Sequence, residues 1–285
     1  MPRTANARLA ALAADASAER ELLHPLGEDE PRKDRQFVTA LARGLELLRA
    51  FTPQAPLLGN QELAQLTGLP KPTVSRLTHT LTRLGYLTRS ERLGKYALNT
   101  GVLSLGFTAL SSMGVREVAR PLMQELAEYA NVPVSLGQRD RLNMVYVEHC
   151  RSAASVTLRL DLGSRLPLAT TAMGRALLAA IPERERSYLM DHLARRDRTA
   201  WPQLRKSIEQ ALRDYEERGF TLSVGDWDRD VVAVGVPLIP PDGSGIVAFN
   251  CGGPAFSLTR ERLEGELGPR LVNLARVVQA RLVRR

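Results

Sequence analysis

The chain is predicted to form two folded domains joined by a helix, a winged helix-turn-helix followed by an α+β domain with a central antiparallel sheet. Three observations carry that expectation. Residues 60–98 read helix, glycine turn, helix and hairpin, and no acidic residue stands between Glu62 and Glu91. An apolar helix follows over residues 101–114. From Val115 onward strands arrive in runs and not in alternation with helices, which argues against a doubly wound fold. With 285 residues, 44% of them hydrophobic, the chain is long enough to close two cores.

Residues 1–35 are alanine-rich and then strongly charged, and read as a flexible leader. The first domain spans residues 36–100. Phe37, Leu41, Leu45, Leu48 and Phe51 trace a helical stripe that Pro53 and Pro56 end. Asn60 can cap the next helix, whose apolar face is Leu63, Ala64 and Leu66, and Gly68 closes it. Lys71-Pro72 opens the second helix of the pair, because proline suits a first turn. Val74, Leu77, Leu81 and Leu84 recur at three- and four-residue spacing and are expected to bury against the first helix. Thr73, Ser75, Arg76, His79, Thr80 and Arg83 lie opposite. A solvated face normally mixes signs, whereas Lys71, Arg76, Arg83 and Arg89 fall where no acid does. That pattern points to double-stranded DNA. Lys71, Thr73, Ser75 and Arg76 stand where a recognition helix lies deepest in the groove, and Arg76 suits a guanine because a guanidinium can bond O6 and N7 together. The stretches 86–89 and 95–98 read as two short strands of a wing, from which Arg89, Arg92 and Lys95 can reach phosphates.

Residues 101–114 carry Val102, Leu103, Leu105, Phe107, Leu110 and Met113 and form a linker helix too apolar to stand alone. Pairing with a second copy would cover it, and a dimer suits two half-sites about 34 Å apart. The second domain spans residues 115–285. Val118, Leu122, Leu126 and Tyr129 mark a helix. Strands are expected over 132–138, 142–148 and 155–160, and helices over 172–180, 183–193 and 204–218. Strands follow over 221–224, 231–237 and 246–250. A closing helix over 259–282 should be broken near Gly265, Gly268 and Pro269.

Composition excludes several function classes. Two cysteines, Cys150 and Cys251, cannot build a disulfide framework and suit a reducing cytoplasm. The net charge of +8 agrees with a polyanionic partner without choosing among them. No apolar run reaches membrane-span length. The four histidines lack metal-ligand spacing, so neither metal nor cofactor is expected. His149 and Cys150 are strand neighbours and point to opposite faces, so they cannot act on one another. An enzyme using His149 or Cys251 remains an alternative, as does an architectural DNA binder without a ligand. The acid-rich loop 225–230 lacks the oxygen spacing of a calcium loop.

A ligand pocket has better support. Residues 165–176 place hydroxyls and small side chains where a helix begins and its backbone N–H groups are free for an anion. Alternation puts Ala248, Asn250 and Gly252 on one strand face and Phe249 and Cys251 on the other. The motifs together resemble the IclR family of bacterial transcription regulators, over nearly the whole chain after the leader. Leu63-Ala64, Leu69-Pro70-Lys71, Thr73-Val74-Ser75-Arg76-Leu77 and Leu84-Gly85-Tyr86-Leu87 carry the likeness in the first domain. Gly163, Pro167-Leu168, Thr171-Ala172, Gly174-Arg175-Ala176 and Arg218-Gly219-Phe220 carry it in the second. The resemblance implies a GAF-like effector domain, a dimer or dimer of dimers, and a small-molecule effector of the carboxylate or aromatic-acid class. It implicates Thr171, Ala172, Met173, Ser223, Ala233, Asn250 and Gly252 as effector-binding. Family members often carry a polar group near Ala233 and serines at Asn250 and Gly252, so this pocket is expected to suit a different molecule.

Overall fold

The structure, a computed structural model, describes residues 36–153 and 160–284. The leader, and all but Leu160 of the strand expected over 155–160, lie outside the described residues. The chain divides into two units, one running to Ser112 and the other starting at Met113.

The first unit holds α1 (Thr39–Arg49), α2 (Asn60–Thr67), α3 (Lys71–Arg83), β1 (Leu87–Ser90), β2 (Lys95–Leu98) and α4 (Thr100–Ser111). Its core is Leu47, Phe51, Leu58, Leu63, Leu66, Val74, Leu87 and Tyr96. The hairpin sets Arg89 opposite Tyr96, and Leu58 exchanges two backbone hydrogen bonds with Tyr96, which pins the wing to the segment before α2. Gly68 ends α2 with φ 62°, a left-handed turn that glycine adopts without steric cost.

Three local expectations need correction. Leu41 and Leu45 are exposed, and α1 buries Gly44 and Leu47 instead. Gly44 faces the Leu77 side chain of α3, at ordinary van der Waals distance from where a Cβ would stand. Leu84 is 63% exposed, because it follows the last turn of α3, and the buried positions on that helix are Val74 and Thr78. The cap of α2 is Gly59, not Asn60. The Glu62 carboxylate accepts the Gly59 N–H at 2.7 Å, while Asn60 Oδ1 faces the Thr78 hydroxyl at 3.2 Å. On α4 no residue is buried, and Leu103, Leu105 and Phe107 are each at least 60% exposed.

The second unit holds α5 (Gly114–Ala130), β3 (Val134–Asp140), β4 (Asn143–Cys150), β5 (Arg165–Pro167), α6 (Ala172–Ala180), α7 (Glu183–Arg196), α8 (Trp201–Arg218), β6 (Thr221–Val224), β7 (Val231–Leu238), β8 (Val247–Pro254), α9 (Arg260–Arg262) and α10 (Gly268–Val283). Its strands form one antiparallel sheet in the order β5-β4-β3-β8-β7-β6. The first and last runs of strands thus meet at β3 and β8. The short edge strand β5 carries no alternation and was not expected. Strand β8 extends four residues beyond Asn250 to Pro254, so Gly252 and Gly253 are strand residues and not a terminal turn. α6 packs on β7, whereas α5 and α10 pack on each other and on the sheet. The closing helix breaks as its glycines suggest, with a π-helical turn over Leu263–Leu267. Gly268 fits there because a Cβ would come within 2.7 Å of the Phe220 ring.

Candidate DNA-reading face and ligand cavity

α3 carries its polar residues on the face turned from the core. Lys71, Ser75, Arg76, His79 and Arg83 are exposed and Thr73 is half-buried. On the wing, Arg89 and Arg92 are exposed, with the Arg89 guanidinium 6.0 Å from the centre of the Tyr96 ring. Among the described residues no acid pairs with Lys71, Arg76, Arg83 or Arg92. Lys95 differs. Its ammonium lies 2.8 Å from Glu62 Oε1, so the acid just upstream of the acid-free interval already neutralises it. Burial pushes the Glu62 carboxyl up, but the bonds from Lys95 and Gly59 outweigh it and hold its pKa below the usual value. This ion pair ties the wing to the start of α2.

The second unit encloses a cavity between the sheet and the start of α6. Sheet register explains how distant residues converge there. His149 on β4, Ser135 on β3, Asn250 on β8 and Gly235 on β7 form one rung, and Gly252, Ala233 and Ser223 form another. Each rung is a row of side chains on the same face. Two glycines permit the approach of neighbours. A Cβ on Gly235 would run into the backbone of Ala172 and Met173, and one on Gly252 would lie 2.5 Å from the Ala233 Cβ. Thr171 caps α6, its hydroxyl accepting from Gly174 N–H at 3.2 Å and donating to the Pro167 carbonyl at 2.8 Å. Ser223 donates to the Thr170 carbonyl at 2.8 Å. Arg175, almost wholly buried, reaches the carbonyls of Ala169 and Leu222 and the Asp226 carboxylate. It thereby braces the loop that carries Trp227, which answers for the acid-rich segment.

Thr171, Ala172, Met173, Ser223, Ala233, Asn250 and Gly252 all line this cavity. Pro133, Ser135, Tyr146, His149, Leu160, Leu166, Trp227 and Val231 complete the lining, and none of these was assigned to it from sequence as a ligand contact. A serine inside the apolar run at 132–136 was the available signal for Ser135. The space is narrow, with a cavity volume of about 30 Å³. No Asp, Glu, Lys or Arg lines it among the described residues. The polar groups are neutral and joined. Ser135 Oγ lies 2.8 Å from His149 Nδ1, and Asn250 Nδ2 donates to the Tyr146 hydroxyl at 3.4 Å.

The enzyme alternative loses its dyad here. Cys251 is fully buried on the opposite face from Asn250 and His149, near Arg262 and Glu266, and burial pushes its thiol up to about 12. Cys150 is likewise raised to about 11, by burial first and then by Glu148. Thiols held protonated in this way are poor nucleophiles. Among the described residues no group of three or more His, Cys, Asp or Glu is placed to hold a metal, and no helix is long and apolar enough to cross a membrane.

The IclR helix-turn-helix domain matches residues 40–91, and the C-terminal domain of bacterial transcriptional regulator IclR matches residues 107–280. The chain belongs to the IclR family of bacterial transcriptional regulators. It is 37% identical over 248 residues to the HTH-type transcriptional regulator TsaQ1/TsaQ2 of Comamonas testosteroni, covering 86% of this chain and 89% of that one. A crystal structure of an IclR family regulator from Brucella abortus is similar at 51% identity and a TM-score of 0.83, covering 90% of this chain and 97% of that chain. An IclR homologue from Microbacterium hydrocarbonoxydans, solved with 4-hydroxybenzoate, shares the fold at 20% identity and a TM-score of 0.64, covering 86% of this chain and all of that chain. As an IclR-family member, this chain is a transcriptional regulator with an N-terminal DNA-binding helix-turn-helix and a C-terminal effector-binding domain.

Proposed function

We propose that the chain works in the cytoplasm as a homodimer, or a pair of dimers, whose grip on an operator is set by a small carboxylate or aromatic acid bound in the cavity beneath α6. One observation carries the ligand half of this reading: aromatic and apolar walls converge on a short series of hydrogen-bonding groups in an enclosed space, the usual make-up of a small-molecule site. That a protein of the same fold holds 4-hydroxybenzoate makes this acid a natural probe. The bare apolar residues of α4, with Leu41 and Leu45 of α1, support pairing with a second copy. Lys71, Thr73, Ser75 and Arg76 are the residues assigned to base edges and register. His79, Arg83, Arg89 and Arg92 are assigned to the backbone, with Lys95 a weaker member because Glu62 engages it.

A bound acid shifts DNA affinity only as far as it prefers one arrangement of the dimer over another. The test measures fluorescence anisotropy of a labelled DNA fragment from upstream of the protein's own gene, with and without saturating 4-hydroxybenzoate, benzoate and aliphatic dicarboxylates. A saturable rise in melting midpoint together with altered operator affinity is expected. Tight binding of an acid with unaltered operator affinity would remove the regulatory reading. Light scattering at micromolar concentration should return the mass of two or four chains.

A further inference from the structure

The polar side chains inside the cavity run in series from Asn250 through Tyr146 and Ser135 to a histidine. Asn250 Nδ2 can only donate, so the Tyr146 oxygen accepts from it. Ser135 is the other side chain in hydrogen-bond reach of the Tyr146 hydroxyl. Ser135 Oγ in turn lies 2.8 Å from His149 Nδ1. A neutral imidazole carries one proton, and when Ser135 donates to Nδ1 that proton sits on Nε2. That Nε2 is buried without a hydrogen-bond partner, on a residue that lines the cavity. The ring is held in place by near-parallel stacking on Tyr146, with centroids 5.7 Å apart and planes 15° apart.

A buried ring nitrogen without a partner is a standing cost that a ligand group removes. Among the described residues that line the cavity, His149 alone has a side chain that can take up a proton to become cationic. The charges around it are engaged elsewhere. On its own strand and the turn that follows, Glu148 is turned to Arg116 and Arg120 of α5, and Arg151 is paired with Asp161. On β3 its neighbour is the neutral Ser135, and among the described residues the side chains that line the cavity with it, from β8 and the start of α6, are uncharged.

We propose that His149 is the residue that anchors the effector, its Nε2–H receiving a carboxylate oxygen, and that the cavity selects organic acids through this one donor. The proposal rests on the reading of the cavity as the effector site. In the ligand-free chain burial, and then Arg151, hold the His149 pKa below its ordinary value, so the ring is neutral at pH 7. A carboxylate beside Nε2 favours the charged ring. When the ring takes up a proton at Nδ1, that N–H donates to Ser135 Oγ, so the Ser135 contact survives in either state.

The experiment uses the full chain with benzoate and 4-hydroxybenzoate as probes. Nitrogen-15 NMR of the His149 ring should show the Nε2–H tautomer without ligand, and the Nε2 signal should move on saturation. Calorimetry in buffers of different ionisation enthalpy should detect proton uptake at pH 7. His149→Phe should weaken acid binding by about tenfold or more, the loss of one charge-assisted bond. His149→Gln, which keeps a donor, should retain part of the affinity and lose the proton uptake. An Nδ1–H tautomer in the free protein overturns the proposal. So does acid binding that leaves the Nε2 signal still and is unchanged in His149→Phe, and in that case the effector cavity itself stands. If neither acid binds saturably, the anchor and the acid class both fall.

Discussion

The DNA-reading face and the ligand cavity treat polar side chains in opposite ways. On α3 and the wing, Lys71, Arg76, Arg83 and Arg92 project into water with no acid among the described residues to pair with them. Among the described residues no charged side chain lines the cavity wall, and Asn250, Tyr146, Ser135 and His149 stand in series until one ring nitrogen is left without a partner. Water makes the difference. An exposed cation costs nothing to leave unpaired, and gains when it displaces counterions from a phosphate. A buried donor has no water to fall back on, so each is matched or waits for a ligand. The first arrangement suits a long, repetitive polyanion and the second a small molecule recognised by few atoms.

The sharpest way to break the contrast is to disturb the close packing that the cavity demands. Gly235→Val places side-chain atoms where the Ala172 backbone lies, and should destabilise the protein by about 3 kcal/mol or more, read as a fall in melting midpoint. A small change would mean that α6 yields easily and that the cavity wall is soft.

On the other face the expected effects fall on DNA and not on folding. Arg76→Ala should weaken operator binding by about 1 to 3 kcal/mol and relax preference at one base pair. Equal loss on operator and random DNA would move Arg76 from base reading to the backbone. Arg92→Ala should lower affinity evenly across sequences and reduce the slope of log affinity against log salt by about 1.

The smallest effect tests the ion pair that exempts Lys95 from the free cations. Glu62→Gln should cost about 0.5 kcal/mol, the pair being partly exposed. In the folded chain Glu62 holds its proton less tightly than in the unfolded one, so its contribution is whole above the ordinary value of 4.5 and lost as pH falls through the lower folded value. The variant's melting midpoint should therefore approach that of the parent in acid. A gap that widens as pH falls would reverse the assignment.

Much of the first unit was legible because its logic is local. Helix spacing, the turn at Gly68 and the opening at Lys71-Pro72 each depend on neighbours in sequence. The errors there arose where burial depends on what comes across from elsewhere, as with Gly44 under Leu77 and with Thr78 beneath Asn60. In the second unit, alternation along β8 separated Asn250 and Gly252 from Cys251 correctly. The edge strand β5 has only three residues and no periodicity to read. His149 drew notice for catalysis, because nothing in the chain order says that its strand pairs with the one holding Ser135.

The amino-acid sequence by itself determined what each segment is and which family it belongs to, since helix stripes, strand alternation and the basic interval are properties of short stretches. Only the tertiary structure decided which polar groups meet. Strand order brought β4, β3 and β8 side by side, and register set His149, Ser135 and Asn250 on one rung. A slip of one residue would have turned each of them to the far face with Cys251. The polar series that ends on an unmatched His149 ring nitrogen is therefore a consequence of pairing across more than a hundred residues of chain, where local rules have no reach.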